Sequence, residues 1–410
     1  MNMQAFPTAA AIMSERRVAL IGGMLAAIGP ISMSLFTPAM PEIVRAFGTT
    51  EAAVKMTLSL YFGGFAFAQL VCGPLSDAFG RRPITVAFMA IYLAGSVFAL
   101  LSPTIELLIL ARFLQGVGAA VGVAISRALV RDIFTHERSA RIMNLIGIIL
   151  AIGPAFSPTI GGFTMQLFGW HAIFLLMVGM GGLIVLVTFV TMRETVVRDA
   201  SRLRPRQLAA TYGTIITTPY FMLASLAMAG SAGAIYAQAS VLPFILMERI
   251  GLTPTKFGAA MLIQSLSYIF GSVVLRTLIG RFGAFRLVPV GLACIGTASL
   301  MLALGLKLYE PTFLGVMGPV GVYAFGIAFV TPAMSTAAMA PFPRSAGAAS
   351  AVLGFLQMGA GLLGGACAAL IGDPVAAMAT IIPTMGLLAI VSWSIWRRLA
   401  EPSSHLKTGN

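Results

Sequence analysis

The chain has 410 residues, 58% of them hydrophobic and 10% charged, against about 25% charged in soluble domains. With a mean hydropathy of +0.95, and only 26 Lys+Arg and 13 Asp+Glu, it cannot cover a water-facing surface. At ~20 apolar residues per membrane helix, the apolar content is enough for about a dozen spans. The net charge of +13 does not indicate nucleic acid, because the basic residues are scattered through short loops and form no stripe.

Apolar runs broken by charge or by Gly/Pro clusters predict twelve spans. The first six are Val18–Met40, Val54–Leu75, Pro83–Leu101, Leu107–Val130, Ile142–Met165 and Ala172–Met192. The second six are Tyr220–Met247, Phe257–Leu275, Leu287–Leu306, Thr312–Ala340, Ala346–Ile371 and Val375–Trp396. The runs are continuous and not alternating, which argues for helices and against a barrel. Internal prolines such as Pro30, Pro154, Pro243, Pro319 and Pro332 are tolerated because neighbouring helices satisfy the freed carbonyls. The fold class expected is an all-α polytopic membrane protein.

Between the sixth and seventh spans lies the one long charged interval, rich in arginine. The organisation predicted is a six-helix bundle over 1–192, a linker over 193–218 lying against anionic membrane lipid, and a second bundle over 219–410. The opening polar segment predicts that the first span is retained and not cleaved. Of the Lys and Arg residues, 20 fall on the N-terminal side of the membrane, Lys407 and linker Arg202 among them. Only Arg45, Lys55, Arg249, Lys256 and Lys307 fall on the other, and Arg112 lies within a span. That asymmetry places both termini in the cytoplasm.

Several chemistries lack their residues. None of Lys55, Lys256, Lys307 and Lys407 follows the glycines of a phosphate-binding loop, so ATP hydrolysis is not expected. Cys72, Cys294 and Cys367 are isolated within apolar runs and read as small buried thiols. His136, His171 and His405 stand in separate loops or tails, with no converging nucleophile or metal cluster, so neither an enzyme nor a cofactor is expected.

Three motifs carry more. The loop after the second span reads Gly73-Pro-Leu-Ser-Asp77-Ala-Phe-Gly80-Arg81-Arg82-Pro83, its glycines permitting a tight turn. The fourth span contains Arg112, Gln115, Gly116, Gly118 and Gly122. The fifth contains Gly153, Pro154, Pro158, Gly161 and Gly162. In this order among twelve spans they resemble the loop 2–3, fourth-span and fifth-span signatures of the drug/proton antiporter branch of the major facilitator superfamily. Pro38-Ala-Met-Pro41, Arg127-Ala-Leu-Val-Arg131-Asp132 and Gly251-Leu-Thr-Pro-Thr-Lys-Phe257-Gly258 look like the Bcr/CflA-type multidrug exporters. Gly280-Arg281-Phe-Gly283-Ala-Phe-Arg286 looks like a second, decayed copy of the loop 2–3 signature, without its aspartate.

The resemblance implies a twelve-helix, two-bundle transporter of a bacterial inner membrane, monomeric, exporting small amphipathic molecules in exchange for protons. A uniporter or importer of a small organic solute, and a membrane receptor or sensor, are the alternatives. Asp77 is placed to meet the positive N-terminal end of a neighbouring helix, and the resemblance suggests the eleventh. Arg81 and Arg82 would pair with Asp132. The structural alternative is that Asp77 ends its helix while the arginines set topology. Arg112 lies about 9 Å along its helix from Glu106; a charge there needs a partner or a hydrated cavity. The resemblance implies that it senses protonation or substrate, and bonding to carbonyls freed by Pro30 or Pro154 is the structural alternative. The glycines favour close helix packing, and in the fifth span the resemblance adds a helix bend that seals the outer half.

One position departs from the family. Bcr/CflA-type proteins usually carry an aspartate where this chain has Ser34. The nearest remaining carboxylates are Glu42 and Glu106, which are either proton carriers or hydrated helix-end residues. Ser32, Ser34, Tyr61, Gln69, Gln115, Asn144, Tyr236, Gln238, Gln264, Tyr268, Tyr323, Gln357 and Met358 are in-span residues that either line a midplane cavity or bond between helices.

Overall fold

The computed structural model describes residues 13–199 and 203–399; Arg202, His405 and Lys407 lie outside them. Twelve helical segments among the described residues are long and apolar enough to cross a membrane. In chain order the helices are α1 (Glu15–Phe36), α2 (Met40–Phe47), α3 (Glu51–Phe79), α4 (Arg81–Leu100), α5 (Ile105–Ala119), α6 (Val121–Ile133), α7 (His136–Phe168) and α8 (Trp170–Thr191). A linker helix α9 (Pro205–Ile216) precedes α10 (Pro219–Ser231), α11 (Gly233–Gln238), α12 (Pro254–Phe282), α13 (Ala284–Leu308), α14 (Phe313–Met339), α15 (Ala346–Ile371) and α16 (Pro374–Trp396). The first span is α1 with α2, the fourth α5 with α6, and the seventh α10 with α11; each other span is one helix. No strand occurs among the described residues.

Local chemistry starts these helices. Thr50, Thr104, Thr253, Thr312 and Asp373 each accept a backbone N–H of the first turn of α3, α5, α12, α14 and α16, satisfying a donor that would otherwise be orphaned. All five caps lie on the membrane face that carries the loop between α2 and α3, hereafter the loop 1–2 face. Turns between spans use glycine in the left-handed region, and these recur in register. Gly48 and Gly251, Gly80 and Gly283, and Gly169 and Gly372 all have positive φ, and the members of each pair are 203 positions apart. The two halves are therefore copies of one six-helix pattern, as pseudo-symmetry requires.

Each half has its own apolar core. The first draws on α1 to α8, together with Ala239 and Phe244 from the seventh span. The second runs from Ile215 to Ala389. Large apolar side chains such as Phe163, Leu186, Leu266, Leu304, Leu363 and Leu387 are exposed around the outside, the inverse of a soluble surface and the expected one in lipid.

Three expectations change. Helix α3 continues through Gly73 and Pro74 to Phe79, so only Gly80, at φ 103°, makes the turn. The seventh span is not continuous: α11 ends at Gln238, turns lead to Pro243, and a π-helical turn covers Phe244–Arg249. Of the cysteines Cys72 alone is buried; Cys294 is half-buried and Cys367 exposed, because α15 turns the latter outward.

Candidate functional site

A chamber of about 420 Å³ lies between the halves. Its first-half wall includes Met33, Ser34, Phe65, Gln69, Pro154 and Pro158, and its second-half wall Tyr236, Gln238, Gln264, Tyr268, Gln357 and Met358. The broken seventh span passes alongside, contributing Ala239, Leu242 and Pro243. Interrupted helices at membrane depth are tolerated where they border protein or a cavity.

On the loop 1–2 face the chamber is sealed by two helix pairs that cross between halves. Helices α7 and α12 meet at glycines: a Cβ on Gly162 would collide with the Pro254 carbonyl, and one on Gly258 with the Pro158 carbonyl. Thr159 donates to the Gly258 carbonyl at 3.0 Å. Helices α3 and α15 meet where Gly365 abuts Ser59 and Gly361 abuts Phe62. Gly162 and Gly365 are themselves 203 positions apart, so each seam uses the same glycine of the repeat. Lys55, fully buried, crosses this seam to donate to the Gly372 carbonyl at 2.7 Å. It also pairs with Glu51 at 3.1 Å and lies 5.3 Å from the Phe244 ring centre. Arg45 reaches Glu248 at 3.4 Å.

Toward the opposite face the chamber ends at Arg127, which is exposed and donates to Ser350 of α15 at 2.9 Å. Beside it lies the loop 2–3 cluster. Arg81 pairs with Asp77 at 2.5 Å and with Asp132 at 3.0 Å, and donates to Ser76. Arg82 does not reach Asp132; it donates to the Phe189 carbonyl at 2.7 Å. Asp77 is engaged by Arg81, the first residue of α4 beyond the Gly80 turn, and by no residue of the eleventh span among the described residues.

Arg112 is fully buried, inside the first half and outside the chamber lining. Its guanidinium lies 4.4 Å from the ring centres of both Phe36 and Tyr61. It donates to Gln115 Oε1 at 2.6 Å, and Gln115 in turn donates to Ser96 at 2.8 Å. No carboxylate or freed carbonyl meets it; Nε and Nη2 lack a hydrogen-bond partner among the described residues. Two aromatic faces in a desolvated site supply the compensation, which a planar guanidinium can use on both sides.

Some polar residues expected at a cavity are instead used within a half. Ser32 bonds Tyr92 at 2.5 Å, Tyr61 donates to the Gly29 carbonyl at 2.8 Å, and Tyr323 donates to the Gly230 carbonyl at 2.9 Å. Gln115 belongs to the Arg112 cluster, and Asn144 is exposed on α7 away from the lining. Buried hydroxyls take the nearest carbonyl, which removes these residues from the chamber wall. Glu42 pairs with Arg45 at 3.4 Å, and Glu106 is exposed in the first turn of α5; neither lines the chamber.

The sequence profile of the Major Facilitator Superfamily matches residues 20–365. The chain belongs to this superfamily. The MFS-type transporter YdgK of Bacillus subtilis (strain 168) is 31% identical, the match covering 91% of this chain and 94% of that one. Multidrug resistance protein D of Escherichia coli (strain K12) is 28% identical, with 90% and 93% covered. The chloramphenicol resistance protein of Pseudomonas aeruginosa is 28% identical, with 83% and 80% covered. Among solved structures, a D-xylose–proton symporter superposes with a TM-score of 0.70 at 13% identity, covering 94% of this chain and 98% of its own.

Within this facilitator fold, motif reading missed Glu194, just beyond α8. Its carboxylate accepts the backbone N–H of Arg81 at 2.8 Å and of Arg82 at 3.3 Å. Helix α4 is preceded by Gly80, which has no side chain to cap it, so an anion distant in sequence takes the role at the positive helix end. The signal available was negative: a helix start without Ser, Thr, Asp or Asn.

Proposed function

We propose that this facilitator exports small amphipathic compounds by alternating access, in exchange for protons, from a bacterial inner membrane in which both termini are cytoplasmic. The single observation that carries the reading is the chamber between the halves, sealed on one face by helix contacts that hold only while the halves are tilted together. Residues 1–192 and 219–410 would rock as units about the linker, each working as part of a monomer in lipid. The basic-residue asymmetry supports a cytoplasmic loop 2–3 face, and relatives whose names record drug resistance support the export direction.

In this reading the structure corresponds to the inward-facing state. Among the described residues the side-chain bonds of Asp77 and Arg81 stay within the first half there; when the cytoplasmic side closes, Asp77 would meet the start of α15, where the helix dipole favours an anion. Gly80 supplies the turn that presents this cluster, with Arg82 and Asp132 anchoring it. Glu42 and Glu106 are the proposed proton carriers, and Arg112 the group whose environment responds to them through Phe36, Tyr61 and Gln115. Pro154 and Pro158, with Gly153, Gly161 and Gly162, shape the α7 side of the seal.

One observation favours a second reading, an uncoupled uniporter or importer: no Asp or Glu lines the chamber among the described residues. Reconstitution in liposomes separates the readings. The proposal expects uphill efflux driven by a pH gradient and collapsed by a protonophore. Equilibration indifferent to the gradient selects the second reading, and binding without flux selects a receptor or sensor.

A further inference from the structure

We infer, resting on the transport reading above, that the chamber selects uncharged amphipathic molecules that donate hydrogen bonds and discriminates against lipophilic cations. Among the described residues its wall contains no Asp, Glu, His or Lys; its single full charge is Arg127, at the loop 2–3 end. Elsewhere the wall is apolar and aromatic, with amides and hydroxyls interspersed.

Three of those polar groups go unbonded. Among the described residues, Gln69 Oε1 on α3, Gln264 Oε1 on α12 and Thr331 Oγ1 on α14 are buried and lack a hydrogen-bond partner, and Gln69 and Gln264 are each only 7% exposed. All three residues line the chamber and both halves contribute, so a molecule bridging it can reach these oxygens once the side chains turn their covered ends into the open space. An amide oxygen is solely an acceptor, and leaving it unmet in a desolvated wall is unfavourable. An entering N–H or O–H removes that penalty. Specificity of this kind is strong because a ligand lacking the donor leaves the wall group unpaired.

A cation meets the opposite balance. It surrenders hydration on entering and finds no carboxylate to replace it. The faces of Phe65, Tyr236, Phe257 and Tyr268 return part of that loss through cation–π attraction. Arg127 adds repulsion where the molecule enters.

The test uses proteoliposomes of the full chain and measures flux and equilibrium binding together. The probes are chloramphenicol (neutral, with hydroxyl and amide donors), its diacetyl ester (neutral, hydroxyls blocked) and ethidium (a cation that retains N–H donors). Chloramphenicol should exceed both of the others by about tenfold or more in kcat/KM and in affinity, a difference of ~1.4 kcal/mol. Gln264→Glu should raise ethidium binding by about tenfold through a new carboxylate counter-charge; Gln69→Glu serves if the first variant does not fold. Ethidium handled as well as chloramphenicol, or no gain of ethidium binding in a folded Glu variant, overturns the inference. Selective binding without flux supports it while defeating the transport reading, so the two fail separately.

Discussion

Gly258→Ala perturbs the seal alone. The added methyl would sit on the Pro158 carbonyl oxygen and 2.6 Å from Thr159 Cα. Both are backbone atoms of α7, so no rotamer change relieves the clash. Overpacking of this kind is worth about 1–3 kcal/mol, and it acts only while α7 and α12 are together. The ratio of sealed to open loop 1–2 face should therefore fall about 5- to 150-fold. Double electron–electron resonance between labels on the α7–α8 loop and the loop preceding α12, after replacement of Cys72, Cys294 and Cys367, reads that ratio directly. Apparent affinity for substrate offered at the loop 2–3 face should weaken with the loss of the competent state. Gly122→Ala is the control: its methyl would strike the Leu25 carbonyl within the first half, lowering folded yield without moving the seam. A folded Gly258→Ala protein with a wild-type distance distribution and wild-type affinity would refute the reasoning.

Other substitutions probe the remaining clusters. Arg112→Lys keeps the charge but loses the stacking between Phe36 and Tyr61, so drug efflux should fall to background in cells where immunoblots find normal membrane levels; unimpaired efflux would remove the assigned role. Asp77→Asn should lower turnover several-fold in liposome flux while leaving substrate affinity near wild type, and equal turnover would discard the gate. Glu194→Gln removes the anion at the start of α4, worth about 0.5–2 kcal/mol. Amides at the α4 start should then exchange hydrogen faster by mass spectrometry, and unchanged protection there would show that the cap carries no stability.

The spans were legible because hydrocarbon imposes one requirement on every residue of a crossing helix, and unbroken apolar runs meet it. Their ends were less so. Thr50 and Asp373 cap helices outside the apolar windows, and α3 runs past Pro74 to Phe79 because proline inside a packed span does not end it. The repeat was half visible in the second Gly-Arg-Phe-Gly motif at 280–283, yet the 203-residue register of the six turn glycines needs φ values to recognise. At the site, Gln69, Gln238, Gln264, Tyr236, Tyr268, Gln357, Met358 and Ser34 were nameable as polar, aromatic or adaptable residues in apolar runs, and the chamber gathers them. Ser32, Tyr61 and Tyr323 have the same signature but turn to carbonyls within their own halves. Residue type alone carries no information about which way a helix is rotated. Ser265 and Thr331, both in the wall, were passed over because small hydroxyls are so common in membrane helices that they carry little signal.

Among its described residues, the stretch joining the halves is tied to α3 at two points. Asp199 donates its backbone N–H to the Ala78 carbonyl at 3.0 Å, and the Tyr212 hydroxyl donates to the Leu70 carbonyl at 2.5 Å. Burial, with Cys72 nearby, pushes that phenol up to about 12, so the bond persists across the neutral range. Asp199 and Tyr212 thus hold the tether to α3, while Ile215 joins the core of the second half, and between Ile216 and the first residue of α10 only Thr217 and Thr218 are left outside a helix. In the rocking motion proposed above, a turn of the second bundle would have to flex Thr217 and Thr218 against the contacts Ile215 makes with that bundle's core, or unclasp the tyrosine, so this short junction would share in setting the stroke.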